Sequence, residues 1–494
     1  MNNRGQWCGA LVAVVLVVAP KLQAANCPGA TCGPSITGAC DITSPGTYSV
    51  DAIFTATADD AICVSADNVI IVGNGNTITY CDTGPGLGIA VAVNTTSLEI
   101  SGLTLTQGAH DPAASGEANQ CHAIRLKSAS SASQFSGWNI HDNTININQS
   151  GFASGAGTHA ISMANFTSNS TGNTVGPNNV INLAGTSGVK GITIEGSGTA
   201  TWEGVIRGNT INVANIPGES PAGRNFMILL GNDTTTGEVD GNTINMAATN
   251  GAIQGIAELD SNGWYIHDNT ITMSSTHSRG IVLDGSDNNS IQNNTITMDA
   301  GAAGGEASAG IRIRFGSDSN IIVGNVITAT AGAPESIPLR IGGTESAPGH
   351  DTPLAGNVVR NNNYQSNFRA VSIEEGIDSL RFFGNTIASD LADTGIPIFV
   401  QNGGGAEVAA GISFTDDTIN GQSTTCAGLG PSCKVRLLGN VDNITFCDVV
   451  NLDATGEPGD EIRTDGAGTK TFSFATGCTP PAATAPMQPL PNSP

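Results

Sequence analysis

Residues 138–147 read WNIHDNTINI, and residues 264–273 read WYIHDNTITM. Near-copies this far apart are either one piece of chemistry used twice or one visible tooth of a longer repeat. Weaker copies decide the matter. They are IIVGNGNTITY at 70–80, VIRGNTINV at 205–213, EVDGNTINM at 238–246, SIQNNTITM at 290–298, IIVGNVITA at 321–329 and LRFFGNTIA at 380–388. The asparagine before each Thr-Ile or Val-Ile pair is Asn143, Asn209, Asn242, Asn269, Asn294, Asn325 or Asn385, with central intervals of 33, 27, 25 and 31 residues. The wider gaps hold degenerate copies, NTV at 173–175 and RNNNY at 360–364. His141 and His267 share their position in the repeat with Arg207, Asp240, Gln292, Val323 and Phe383. Chemistry that needed a histidine would not recur as a variable column, so both are expected to be ordinary surface side chains.

A second signal lies between these turns, as GITIEGS 191–197, GIVLDGS 280–286, GIRIRFGS 310–317, IPLRIGG 337–343, AVSIEEG 370–376 and GISFTDD 411–417. Its alternation has period two, which puts apolar residues on one face of a strand and variable residues on the other. Strands this short cannot bury their inward face alone, whereas stacking one repeat on the next buries it continuously. Propeller blades need about 40–45 residues each and an aromatic signature, but the chain has only four Trp and four Tyr. An antiparallel sandwich gives no reason for asparagines at coil-like intervals.

The GNTI and GIxI strings together resemble the right-handed parallel β-helix proteins of the pectate-lyase-like fold, over roughly residues 60–450. The resemblance implies an all-β, single-stranded right-handed parallel β-helix, a solenoid, with Asn143, Asn209, Asn242 and Asn269 forming a ladder at one turn. It implies little about activity, because one scaffold hosts many functions.

The rest of the chain frames that solenoid. MNNRGQW followed by the apolar run GALVAVVLVVA has the form of a secretory signal peptide over 1–24. Residues 25–60 are expected to close the amino end, 61–450 to form the β-helix and 451–478 to close the carboxy end, with 479–494 a proline-rich tail. Of 11 cysteines, Cys8 falls in the leader. Six cluster early (Cys27, Cys32, Cys40, Cys63, Cys81, Cys121) and four late (Cys426, Cys433, Cys447, Cys478). An even number after cleavage points to disulfides at both caps and an oxidising compartment, hence a secreted or cell-surface protein. With Lys+Arg 18 against Asp+Glu 42, the formal net charge is −24. Such a chain repels nucleic acid and anionic membranes, and no stretch after the leader is long and apolar enough for stable membrane insertion.

Aligning the GIxI strands gives two outward columns. The third position reads Arg125, Ser162, Thr193, Val282, Arg312, Pro338, Ser372, Pro397 and Ser413; the fifth reads Lys127, Ala164, Glu195, Asp284, Arg314, Arg340, Glu374, Phe399 and Thr415. Neighbouring coils lie only ~5 Å apart, so three arginines of a scarce set fall together, flanked by Asp284 and Glu374. A guanidinium matches the geometry of a sugar carboxylate or sulfate. The expectation is therefore an acidic-polysaccharide face, with Asp284 and Arg312 binding substrate and Arg314, Arg340 and Glu374 as candidate catalytic groups for β-elimination. Such a lyase needs a cation against the uronate carboxylate, which Arg or Ca²⁺ supplies, and a base for the adjacent proton. The competing reading is a noncatalytic structural or adhesin-like surface protein in which Asp284–Arg314 and Arg340–Glu374 are salt bridges.

A glycoside hydrolase fits less well. Its paired carboxylates must flank one bond, but the neighbours Asp416–Asp417 and Glu374–Glu375 should face opposite sides of a strand. GHD at 349–351 and RIR at 312–314 stand in the wrong order relative to DD for a polygalacturonase-like pattern. His110–Asp111 and His350–Asp351 are read as polar loop residues.

Overall fold

The computed structural model describes residues 27–478 apart from 58, 93, 111–120, 128–134, 150–156, 186–187, 198–199, 215–224, 232–235, 248–252, 275–276, 300–307, 331–335, 343–352, 375, 390–394, 402–408, 422–432, 453–460 and 466–467. Three parallel sheets of 15, 16 and 13 strands, here A, B and C, contain every strand among the described residues. Away from the two ends each strand pairs with the third one before and after it, so one coil contributes one strand to each sheet. The chain is a right-handed parallel β-helix. Its strands run from Ser35–Ile36 to Lys470–Ala475, so coil geometry extends into both segments expected to close the ends.

Inward columns fill the solenoid. In sheet C, Ile145, Ile181, Ile211, Ile244, Ile271 and Ile296 stack in register, and all are fully buried. Sheet B carries a matching column that ends in stacked Phe382, Phe414, Phe446 and Phe474, with ring centroids 4.6, 5.3 and 5.6 Å apart. Each fully buried isoleucine contributes roughly 1.5–3 kcal/mol, which explains how strands of two to eight residues persist.

The opening string is the corner between sheets B and C. The residue before each asparagine has positive φ: 55° at Asp142, 58° at Gly208, 61° at Gly241, 53° at Asp268 and 51° at Asn293. Only Gly, Asn and Asp visit that region readily, which accounts for the variants GNTI, DNTI and NNTI. The asparagine itself is buried and links coils. Asn242 Oδ1 accepts from Asn209 N and Nδ2 at 3.0 and 2.9 Å, while its own Nδ2 donates to Asn269 Oδ1 and Ile206 O, both at 2.9 Å. The ladder runs through Asn143, Asn179, Asn209, Asn242, Asn269, Asn294, Asn325, Asn362 and Asn385. Its rung between Asn143 and Asn209 is Asn179, not the NTV at 173–175. Asn173 instead caps a neighbouring turn, accepting from Trp138 N at 3.2 Å.

Disulfides tie the ends, as Cys27–Cys63, Cys32–Cys40 and Cys81–Cys121 near the start and Cys447–Cys478 near the finish. Cys433 is also disulfide-bonded.

Candidate functional site: the outward face of sheet A

Sheet A turns its variable residues away from the solenoid. Its register corrects the expected columns. Arg340 pairs with Arg312 and Ser372, so it stands in the third position rather than the fifth. Phe399 pairs with Ser372 and joins that same column. Pro338 and Pro397 precede it by two residues, and Ser413 and Thr415 belong to sheet B. The physical reason is that a two-residue slip keeps every side chain on its face, so alternation in IPLRIGG cannot fix the register.

The five expected residues do come together. Arg314 donates from Nη2 and Nε to Asp284 Oδ2 at 2.8 and 3.2 Å. Arg340 donates to both oxygens of Glu374, at 2.7 and 3.1 Å. Arg312 and Arg314 are 2% and 1% exposed, and the Arg314 guanidinium also lies 4.4 Å from the Phe315 ring. The expected salt bridges therefore form, each with one buried member, Arg314 or Glu374, and one partly exposed member, Asp284 or Arg340. A buried pair holds its geometry but yields little net stability over an apolar replacement.

Residues just before the inward strand core add a further outward column: His122, His159, Lys190, Phe226, Gln254 and Arg279, paired in register from His159 onward. The intervening position takes Gly or Ala in every coil of this column except that of Met227; a Cβ on Gly191 would sit 2.3 Å from Met227 O. In the middle of the face Phe226, Leu229, Ala257 and Val282 form a separate apolar cluster. It divides the arginine half from an amino-terminal half made of His122, Arg125, His159, Ser162, Lys190 and Thr193. Arg125 pairs with Ser162 and Ser162 with Thr193, so the two columns form a small grid.

Sequence reasoning missed His122, His159 and Lys190, although HAI, HAI and KGI precede successive strands and were visible. His159 N donates to His122 Nδ1 at 2.8 Å, so the proton of a neutral His122 ring sits on Nε2. The rings meet edge to face with centroids 4.5 Å apart. Burial, then the charges of Arg125 and Lys190, holds His122 well below the usual histidine range. Burial, then His122, Lys190 and Arg125, does the same to His159. Burial also lowers the Lys190 ammonium, against the attraction of Glu195.

The repeated histidines differ from expectation in one case. His141 lies near the surface beside Asp142 at 2.6 Å and Glu99 at 3.5 Å. His267 is buried, with Glu238, Asp240 and Asp268 at 3.0, 3.5 and 2.7 Å. Its neighbouring coil presents acids at the facing positions, which the string itself does not reveal. Glu238, Asp240 and His267 are close enough to share a cation. The other two such groups among the described residues contain cysteines that are tied in disulfides.

Asp416 and Asp417 are not a dyad, since Asp417 is the buried end of the ladder and Asp416 is exposed at the turn. Asp111, Glu375, His350 and Asp351 lie outside the described residues, as does the side chain of Lys127. No helix among the described residues is long and apolar enough to cross a membrane.

Fold and face together define a right-handed parallel β-helix repeat protein with a charged outward sheet. Residues 225–338 match the family described as Periplasmic copper-binding protein (NosD). No curated protein matches the chain in sequence. Among solved structures it is similar to the tailspike protein of Escherichia coli bacteriophage HK620 in complex with a hexasaccharide, at 13% identity and TM-score 0.46, covering 85% of this chain and 71% of that one. The Dettilon tailspike protein gives 13%, 0.42, 82% and 62%, and the periplasmic alginate epimerase AlgG gives 11%, 0.34, 81% and 77%. At these identities the likeness is one of architecture.

Proposed function

We propose that the protein is exported and binds acidic polysaccharide along the outward face of sheet A. One observation carries this reading. In a chain of net charge −24, Arg125, Lys190, Arg279, Arg312, Arg314 and Arg340 all lie on that one sheet. Adjacent strands repeat about every 4.8 Å, so a linear polymer lying across them meets donors on successive coils. Asp284 and Arg312 serve to hold the chain, and Arg314 and Arg340 offer planar donors to sugar carboxylates. The disulfides at both ends support an oxidising compartment.

The finer reading is eliminative cleavage. An arginine neutralises the uronate carboxylate, and Glu374, oriented by Arg340, takes the proton from the carbon next to that carboxylate. The freed electron pair becomes a carbon–carbon double bond, the bond to the glycosidic oxygen breaks, and that oxygen takes a proton from solvent. Calcium is the cofactor this chemistry admits. Incubation with pectate, alginate and sulfated glycosaminoglycan, with and without calcium, tests both levels through binding and unsaturated-sugar absorbance. Absorbance lost in Arg314→Ala supports cleavage, and binding without absorbance leaves a noncatalytic module. No binding to any polymer returns the protein to a structural or adhesin-like role.

A further inference from the structure

We infer that His159, Lys190, Ser162 and Thr193, with Arg125 beside them, form a dedicated recess for one small oxyanion, a sugar carboxylate or sulfate ester. This deepens the polysaccharide reading, on which the identity of the bound molecule rests, and locates it in the amino-terminal half of the face.

The geometry leads there in steps. His159 and Lys190 are paired in register on adjacent strands, as are Ser162 and Thr193 two positions further along. Their side chains thus converge on a patch two strands wide. All four are buried, His159 and Thr193 at 6% and 0% exposure. Yet His159 Nδ1 and Thr193 Oγ1 have no hydrogen-bond partner. Among the described residues Lys190 Nζ makes no ion pair within 4 Å; it lies 5.7 Å from the Phe226 centroid, with Glu195 acting on it only at longer range. Buried polar groups without partners are destabilising, and a buried ammonium without a counterion is more so. An oxyanion answers all three needs at once. It accepts from Lys190 and Thr193, and from His159 once the proton of that ring sits on Nδ1.

Charge does not oppose it. Asp60 and Glu195 act on Arg125 and Lys190 from outside the four residues, and burial keeps the two histidines neutral. The apolar cluster of Phe226, Leu229, Ala257 and Val282 closes the recess on its carboxy-terminal side, which strengthens any charge pairing inside it by excluding water.

The test is calorimetric titration of the intact oxidised protein with oligogalacturonate, a sulfated oligosaccharide, a neutral oligosaccharide of equal length, and inorganic sulfate. Lys190→Met keeps bulk and removes charge; His159→Gln keeps a polar group; Arg314→Met perturbs the other half. The inference expects at least tenfold weaker binding of the anionic probes in Lys190→Met and in His159→Gln, with melting temperature monitored. A preference for oligogalacturonate or for the sulfated chain identifies the oxyanion. As a variant-free readout, ring-¹⁵N-labelled wild type should show one histidine pair shifting with anion.

Unchanged binding in both variants, together with loss in Arg314→Met, overturns the recess and leaves the polysaccharide reading intact. Lys190-dependent binding of inorganic sulfate without binding of any oligosaccharide supports the recess and overturns that reading. No anion binding and no histidine shift overturn both.

Discussion

Asn385 donates its backbone N–H and its Nδ2 to the same oxygen, Asp417 Oδ1, at 2.7 and 2.8 Å. The asparagine ladder thus ends on a carboxyl group. Burial pushes Asp417 up to about 7 from 3.8, against the lowering effect of Asn385 and Thr415. Because the folded value is the raised one, its favourable contribution is complete below about pH 4 and is lost as pH rises through about 7. Asp417→Asn should flatten that slope, with the variant gaining on the parent by a few kcal/mol at most between pH 4 and 8. Denaturant unfolding at several pH values checks this; parallel profiles would count against it.

Glu258 occupies an inward position between Leu230 and Leu283, fully buried and with neither oxygen hydrogen-bonded. Burial raises it well above 4.5, so its cost also grows as pH rises above that value. Glu258→Leu should stabilise the fold by at least ~2 kcal/mol at neutral pH, with the gain shrinking on acidification. A destabilised variant would mean that the carboxyl has a partner inside the solenoid.

Asn242 and Asn245 sit three residues apart in two different ladders. Asn242 is buried, whereas Asn245 lies half-buried on the outer side of sheet C and donates to Asn212 Oδ1 at 2.9 Å. Asn242→Ala strips the acceptor from Asn209 N and should cost ~2–4 kcal/mol; Asn245→Ala should cost under ~1 kcal/mol. Equal losses would remove the distinction between an inner structural ladder and an outer ornamental one.

Asp284 is the partner of the almost fully buried Arg314. Asp284→Asn leaves that guanidinium without its carboxylate and should cost roughly 3–5 kcal/mol. Glu99→Gln, at the exposed pair with His141, should cost under ~1 kcal/mol. Thermal melting of the two variants side by side is sufficient.

What the sequence disclosed follows from which features are local. The turn string was legible because a left-handed residue followed by a buried asparagine needs particular side chains at each coil. Inward isoleucines were legible from alternation. Arg340 was misplaced because a two-residue slip leaves alternation intact, and only pairing with Arg312 corrects it. His122, His159 and Lys190 were visible as a residue before Gly-Ile or Ala-Ile, but the corner that turns them outward breaks the strand period. His267 was read as a surface side chain because its acids arrive from the neighbouring coil. Asp417 looked like half of an acidic pair, and only the ladder gives it a different task.

The central claim is that acidic polysaccharide lies on the outward face of sheet A. A crystal structure of the intact protein with a bound acidic hexasaccharide tests it most directly. The account predicts sugar carboxylates or sulfates within hydrogen-bond distance of basic side chains on that sheet, among Lys190, Arg312, Arg314 and Arg340, with the polymer crossing successive coils. Density on sheets B or C instead, or no bound sugar at saturating concentration, would contradict it.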